Sequence, residues 1–318
     1  VDLLLRLLVD TDVLIESYPS GHMENLGLGI PFLNQTNPGL IVVSSTYFGQ
    51  TGPYSNYQGG DLVAQAVGGF LHAVTGSADQ PPMGTAPEQM EITAARNGVI
   101  AIMAALFQRQ TSGKGSHIDL STMEAAISTP SGLIHPFTFT GRSPIRGGSD
   151  GNVMDGMHLP TADGEVTLTT AGTGGRAMEA WAEFLEEPKL TDARFATLQS
   201  RMDNWEELHS LVATPLSKRN NLDLMRDAMA KGLVIGLVQS PQQVVDSPHL
   251  AERGYFVEID HPDAGSMKYP GPGFFLDGEN TMGSRPAPSL GQHNFEIFGE
   301  ELGLTNEELG LLRAARVI

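Results

Sequence analysis

Residues 40–50, with the sequence LIVVSSTYFGQ, contain four consecutive apolar residues followed directly by small polar and aromatic ones. A short apolar run rich in valine and isoleucine is typical of a buried strand in a parallel sheet. Residues 13–15 (VLI) repeat the pattern, and Leu4, Leu7 and Leu8 before them have helical spacing. This alternation of helical and extended segments predicts an α/β fold with a parallel, doubly wound sheet.

The loops that would follow these two strands are candidate binding sites. They contain Glu16, Ser17 and Tyr18 after the first strand and residues 44–50 after the second. In open α/β sheets, ligands lie in the crevice beyond the carboxyl ends of the strands. The same segments also fit ordinary connections between strands and helices, and their spacing does not distinguish the two.

The composition limits the class of protein and its partners. The chain has 318 residues, 40% hydrophobic and 18% charged, which fits one large domain or two unequal ones. A net charge of -18 without a basic cluster disfavours nucleic acid and anionic membranes as partners. The absence of cysteine excludes thiolate catalysis and zinc–thiolate sites and fits a cytoplasmic location. We expect no signal peptide or membrane span, and the start at Val1 inside a helix-like segment suggests a fragment without its true N-terminus.

A long apolar helix is predicted for residues 91–107. Upstream, Thr85 and Glu88 have the spacing of a capping box, which gives Glu88 a structural role and leaves Glu91 outside the cap. In a chain without cysteine or a metal-ligand cluster, the Glu91 carboxylate is the best candidate nucleophile or base, although a solvated acid near the helix start also fits the pattern. Apolar residues recur at steps of three and four and predict one buried face, made by Ile92, Ala95, Val99, Ile102, Met103 and Leu106.

The rest of the chain contains further predicted elements. Residues 117–121 predict another strand, and the glycine-rich residues 146–152 lack the context of a nucleotide-binding loop and are interpreted as a mobile loop or linker. Residues 163–254 predict a smaller, mostly helical domain with Trp181 and Trp205 in its core. Residues 255–259 alternate as a strand does, and residues 305–308 predict a capping box on a terminal helix. His158 and His293 are isolated and are interpreted as loop or core histidines, so no metal site is predicted.

Several short segments together resemble one family. Class III CoA-transferases, related to formyl-CoA and carnitine CoA-transferases, are similar in this order at residues 12–18 (DVLIESY), 24–29 (ENLGLG), 48–54 (FGQTGPY), 104–106 (AAL) and 113–115 (GKG). The resemblance continues at residues 192–195 (DARF), 253–256 (RGYF), 286–288 (PAP), 290–293 (LGQH) and 317–318. Each segment is short, but the ordered set spans essentially the whole chain and is specific.

The resemblance implies an architecture. A Rossmann-like large domain would be built from residues 1–155 and 255–318, without the family's N-terminal strand and helix, around a smaller α+β domain at residues 156–254. Two subunits would interlock as a homodimer. The other partners would be an acyl-CoA and a carboxylic acid, with the coenzyme A thioester as substrate and no tightly bound cofactor or metal.

The resemblance also implies site residues. The family's nucleophile is an aspartate at the start of the helix that ends in Ala-Ala-Leu, and counting back from Leu106 places Glu91 there. Some family members resemble this chain in carrying glutamate at that position. The contacts to CoA carry over to Ser17, Tyr18, Asn25, Thr46 and Phe48. An Asn-Phe pair is common at positions 17 and 18 and arginine is usual at position 25, so this chain departs from the family pattern there.

The resemblance implies CoA transfer between carboxylic acids through a carboxylate nucleophile, with a mixed anhydride and an enzyme-bound CoA thioester as intermediates. A CoA lyase or thioesterase on the same fold would also use Glu91. α-Methylacyl-CoA racemases resemble the chain near residues 58–61, but they need a histidine base where this chain has Gly60, which disfavours racemase or isomerase activity. A non-catalytic CoA-binding protein would keep the fold and tolerate the loss of Glu91.

Overall fold

The computed structural model describes residues 1–73, 81–129, 134–141, 143, 157–169, 176–281, 283 and 285–318. These residues divide into two compact units, Val1–Asp150 and Gly151–Ile318, which are described separately. The predicted glycine-rich linker at residues 146–152 lies outside the described residues. The predicted return of residues 255–318 to the large domain stays a prediction.

A parallel three-stranded sheet organises the first unit. Its strands are β1 (Val13–Glu16), β2 (Ile41–Thr46) and β3 (His117–Ser121), and they lie side by side in the order β1-β2-β3. Glu16 pairs with Ser44, and Thr46 pairs with Ser121, so the carboxyl ends of neighbouring strands lie at one edge of the sheet. The predicted parallel α/β arrangement is therefore confirmed.

The first unit also contains helices. They are α1 (Asp2–Leu8), α2 (His22–Asn25), α3 (Ile30–Thr36), α4 (Asp61–Val67), α5 (Phe70–Ala73), α6 (Gln89–Ser112), α7 (Thr122–Ser128) and α8 (Ile134–Thr140). One core cluster joins α1, α3 and β2 through buried Leu8, Leu28, Leu33, Leu40 and Val42. Ser121 accepts a hydrogen bond from the backbone N–H of Glu124 and caps α7.

The buried face of α6 differs from the predicted one. Large apolar side chains that the spacing assigned to the core are exposed, with Val99 60% and Met103 60% exposed. The small residues Ala94, Gly98 and Ala105 are buried instead, together with Met90. A Cβ added at Gly98 would lie 3.1 Å from Cδ2 of Leu120 in β3, so the helix packs close to the sheet through its small side chains. The pattern failed because a helix that is apolar on all sides has no polar face to mark the exposed side.

Helix α6 is also long and apolar enough to cross a membrane, judged by length and composition alone. Core helices of soluble proteins can have the same composition, and 22% of the apolar window is buried here. The expectation that the protein does not associate with a membrane therefore stays a prediction.

The described residues of the second unit form two antiparallel sheets. Strands β4 (Met157–Pro160), β5 (Glu165–Thr169) and β6 (Val234–Leu237) form one sheet, and β7 (Phe256–His261) pairs with β8 (Gly265–Pro270) in the other. The α-helices are α9 (Ala177–Leu185), α10 (Leu198–Asp203), α11 (Trp205–Leu216), α12 (Asn221–Ala230), α13 (Pro241–Val245), α14 (Pro248–Glu252) and α15 (Asn306–Ala314). Two short 3-10 helices at Pro188–Thr191 and Ala193–Phe195 and a π-helix at Phe295–Glu301 complete it.

Only one of the two tryptophans belongs to the core of this unit. Trp181 is 0% exposed and packs among the apolar side chains of α9, α11, α12 and the β4–β6 sheet, as predicted. Trp205 is 38% exposed at the first residue of α11, so its predicted core position is wrong. The capping box of Thr305 and Glu308 at the start of α15 is confirmed.

Candidate active site

A cavity of about 620 Å³ lies beside the carboxyl ends of β1 and β2. Four of the predicted CoA-binding residues, Ser17, Tyr18, Thr46 and Phe48, line it together with Glu91. The fifth, Asn25, is exposed on α2 and does not line the cavity. The structure thus gathers residues from two strand-end loops and from the start of α6 around one space, where open α/β sheets bind their ligands.

The start of α6 is held by a carboxylate from another helix. Oδ1 of Asp61, the first residue of α4, accepts hydrogen bonds from the backbone N–H groups of Met90 at 2.7 Å and Glu91 at 3.3 Å. Oδ2 of the same carboxylate accepts from Nε2 of Gln65 at 2.6 Å. Gln65 is buried, and its Oε1 accepts the backbone N–H of Thr85. This chain of hydrogen bonds fixes the backbone at Glu91 from outside its own helix.

The predicted capping box of Thr85 and Glu88 does not form. Glu88 occupies the position before the helix with a left-handed backbone (φ 65°, ψ 9°) and makes no side-chain cap. The Thr85 hydroxyl lies against the carbonyl of Ala86 rather than near the N–H of Glu88. Asp61 supplies the cap instead, so the local spacing was misleading because a residue distant in sequence satisfies the helix start.

Tyr47 is the direct partner of the candidate nucleophile. Its hydroxyl donates a hydrogen bond to Oε1 of Glu91. That hydrogen bond to the carboxylate is the main cause that raises the pKa of Tyr47 to about 12, followed by burial and by the negative charges of Glu91 and Asp61. The phenol therefore stays protonated throughout the neutral range and remains a hydrogen-bond donor.

Aromatic side chains form one wall of the cavity. Phe48 contacts Tyr57 edge to face, with ring centroids 6.4 Å apart, and Tyr57 stacks on Tyr54 at 5.1 Å. On another wall, small and apolar residues of α6, including Ala94, Ala95 and Gly98, face the space. The cavity is therefore mainly apolar, with hydroxyl and amide side chains among its lining residues, a composition typical of sites that bind organic ligands.

The described cavity lining contains few ionisable side chains that could take part in catalysis. Glu91 is the only carboxylate among the described lining residues, and these include no histidine, lysine or arginine. A carboxylate alone can act as a nucleophile, whereas a racemase needs two proton-transfer groups. Gly60, at the racemase base position, precedes α4 and offers no side chain. Within the described residues, no group of three metal-ligating side chains comes together.

The roles of two residues of the site were not predicted from the sequence. Tyr47 lies in the candidate binding loop at residues 44–50, directly after a strand, but its hydrogen bond to Glu91 was not predicted. Asp61 starts a helix behind a glycine pair, and nothing local marks its contact with residues almost thirty positions later. The isolated histidines stay outside this cavity, since His158 lies in β4 and His293 contacts Glu296.

Comparison with known sequences decides the family. A sequence model described as CoA-transferase family III matches residues 1–294. The chain belongs to CoA-transferase family III. This confirms the predicted class III resemblance and makes the protein an enzyme of that class.

This CoA-transferase aligns with most of the length of individual relatives. The succinyl-CoA–D-citramalate CoA-transferase of Chloroflexus aurantiacus is 33% identical over 99% of this chain and 79% of the relative. The succinate–glutarate CoA-transferase of Agrobacterium fabrum is 29% identical over 94% of this chain and 74% of the relative. The crystal structure of a CAIB/BAIF family protein from Brucella suis has a TM-score of 0.78 and 26% identity, covering 94% of this chain and 78% of that one.

Proposed function

We propose that this CoA-transferase moves CoA from an acyl-CoA donor to a carboxylic acid with Glu91 as the covalent nucleophile. The observation that carries the proposal is the position of Glu91 in the cavity. It is the only described carboxylate there, and it faces a space lined by Ser17, Tyr18, Thr46 and Phe48. We propose these four residues as CoA contacts, and we omit Asn25 because its side chain lies elsewhere.

The proposed reaction needs a carboxylate and little else from the side chains. Glu91 attacks the thioester carbonyl of the donor. The CoA thiolate departs, and a mixed anhydride of Glu91 and the donor acid is formed. The thiolate then attacks the Glu91 carbonyl, which releases the donor acid and leaves an enzyme-bound CoA thioester. The acceptor carboxylate attacks that thioester and expels the thiolate, which gives a second mixed anhydride. The thiolate then attacks the acceptor carbonyl, forms the new acyl-CoA and frees the Glu91 carboxylate.

The names of the relatives suggest which donor to try first. Succinyl-CoA or succinate occurs in the names of both relatives described above. We propose succinyl-CoA as a donor, and short dicarboxylic acids as the first acceptors to test.

Covalent trapping tests the role of Glu91. The protein is incubated with succinyl-CoA alone, the adduct is treated with hydroxylamine, and the peptide around Glu91 is analysed by mass spectrometry. We expect a hydroxamate on Glu91, formed as hydroxylamine displaces CoA from the enzyme-bound thioester, loss of transfer in Glu91→Gln, and normal transfer in the matched variant Glu88→Gln, whose side chain is exposed outside the cavity. Full transfer by Glu91→Gln would refute the proposal. Release of CoA to water without an acceptor would favour a thioesterase, and CoA binding without any adduct would favour a non-catalytic protein.

We also propose that two copies form an interlocked homodimer in the cytoplasm, with a Rossmann-like large domain built from both chain ends. Support comes from α6, where Ile100, Met103 and Phe107 are exposed at 68%, 60% and 74% in the single chain. A second copy would remove this apolar surface from water. Light scattering on purified protein should give twice the mass of the chain, and a monomer at micromolar concentration would contradict the assembly.

A further inference from the structure

The hydrogen bond from Tyr47 to Glu91 suits a catalytic role as well as a structural one. We propose that the Tyr47 hydroxyl is a catalytic residue, which stabilises the negative charge formed on Oε1 whenever the Glu91 carbonyl carbon is attacked. This inference rests on the proposed function, because it requires Glu91 to carry the acyl intermediates.

Backbone contacts fix the position of Tyr47. It follows β2 directly, and its carbonyl oxygen accepts hydrogen bonds from the backbone N–H of Met123 at 3.0 Å and from Oγ of Ser121 at 3.5 Å. Both donors lie at the junction of β3 and α7. The residue is therefore tied to the neighbouring strand before its side chain reaches Glu91.

The ring of Tyr47 is positioned by packing. It lies against a small cluster that includes buried Phe70, Met90 and Ala126. On the other side it covers Gly59, where an added Cβ would overlap the ring at 2.5 Å from its Cδ2. Only glycine leaves room for the ring there, so backbone and packing together direct the hydroxyl towards Oε1 of Glu91.

The two oxygens of Glu91 have different roles in the reaction. Tyr47 donates to Oε1, which leaves Oε2 to attack the donor carbonyl. A bond forms between Oε2 and that carbon, the carbon–sulfur bond breaks, and CoA leaves as a thiolate. Oε1 is then the carbonyl oxygen of the glutamyl half of the anhydride, still within reach of the phenol.

Negative charge develops on Oε1 in the next two steps. When the thiolate attacks Cδ of Glu91, an electron pair moves to Oε1 and returns as the bond from Cδ to Oε2 breaks and the donor carboxylate leaves. When the acceptor carboxylate attacks the resulting thioester, the pair again moves to Oε1 and returns as the thiolate is expelled. A donor already aimed at that oxygen stabilises both transition states without reorganisation.

The protonation state of Tyr47 suits this role. The raised pKa, about 12, keeps the phenol neutral at physiological pH, so it can donate a hydrogen bond without losing its proton. The first attack places charge on the carbonyl oxygen of the donor instead, so formation of the anhydride does not need this contact.

The test isolates one step at the Glu91 carbonyl. Wild-type protein and Tyr47→Phe are loaded to completion with succinyl-CoA alone, freed of excess reagent, and treated with hydroxylamine while folded. We expect the thioester of Tyr47→Phe to be cleaved roughly 100-fold more slowly than that of wild type, the cost of removing one oxyanion donor. After denaturation the two thioesters should react equally.

The control variants separate this role from a structural one. Tyr269→Phe, which removes a hydroxyl from β8 in the second unit, should be cleaved at the wild-type rate. Equal cleavage of the folded Tyr47→Phe and wild-type thioesters would overturn the inference while leaving Glu91 as the nucleophile. Failure of wild-type protein to form an adduct on the Glu91 peptide would instead overturn the proposed function, and this inference with it.

Discussion

Asp61 caps the helix that carries Glu91, with its Oδ1 3.3 Å from the backbone nitrogen of Glu91. The cap comes from α4, so the position of the proposed nucleophile depends on packing between two helices rather than on the sequence before α6. The same carboxylate also accepts from Gln65, which ties the cap to a buried side chain.

Removing this cap should destabilise the first unit. We expect Asp61→Ala to lower the free energy of unfolding by ~0.5–2 kcal/mol, the usual cost of losing a helix cap. Asp61→Asn keeps one acceptor oxygen and should lower the free energy of unfolding by less. Urea unfolding measures both values. Asp10→Ala, at an exposed position, serves as the control and should change stability by less than about 0.5 kcal/mol. An Asp61→Ala variant as stable as this control would contradict the capping role.

The sheet was predictable from the sequence because its signals are local. Residues 13–15 and 40–43 are apolar runs of strand length, and both lie at or within one residue of observed strands. The place of the site at the carboxyl ends of these strands followed from the same patterns. Ser17, Tyr18, Thr46 and Phe48, at the ends of these strands, line the cavity, and their contact with CoA stays a prediction.

The packing around Glu91 was not predictable, because it depends on contacts between distant residues. The Asp61 cap and the Tyr47 hydrogen bond join positions about thirty and 44 apart in the chain. The buried face of α6 was also misread, because close approach to β3 selects Ala94 and Gly98 over larger apolar residues.

Glu88 has a backbone conformation that glycine adopts more easily. Its φ of 65° is left-handed, which costs an L-residue ~1–2 kcal/mol, while glycine loses ~0.5–1 kcal/mol more entropy on folding. We expect Glu88→Gly to raise the free energy of unfolding by about 0.5–1 kcal/mol from the difference of these two costs. Transfer activity should not change, because the exposed side chain does not line the cavity. Glu88→Ala keeps the Cβ and should not be more stable than wild type. An equal gain of stability in both variants would mean that the backbone at Glu88 is not strained.

The raised pKa of Tyr47 predicts how stability depends on alkaline pH. Between pH 10.0 and about 12 the unfolded chain loses the phenol proton while the folded protein keeps it, so stability falls as pH rises through this window. The contribution is fully present below pH 10. A spectrophotometric titration of the six tyrosines should therefore contain one phenol that ionises near pH 12 in wild type and is missing in Tyr47→Phe. A phenol that still ionises near pH 12 in Tyr47→Phe would assign the raised pKa to another tyrosine.

Gly59 should be coupled to Tyr47, because an added Cβ would overlap the Tyr47 ring. We expect Gly59→Ala to move the phenol away from Glu91 and slow cleavage of the enzyme-bound thioester, as Tyr47→Phe does. In the double variant Gly59→Ala/Tyr47→Phe, the added methyl group still displaces the ring at position 47, so this variant should be less stable than wild type. The cleavage rate should nevertheless be no lower than in Tyr47→Phe alone, because the hydroxyl has already gone. A double-mutant cycle of cleavage rates measures this coupling. Independent, additive effects would mean that Gly59 acts on the cavity without acting through the phenol.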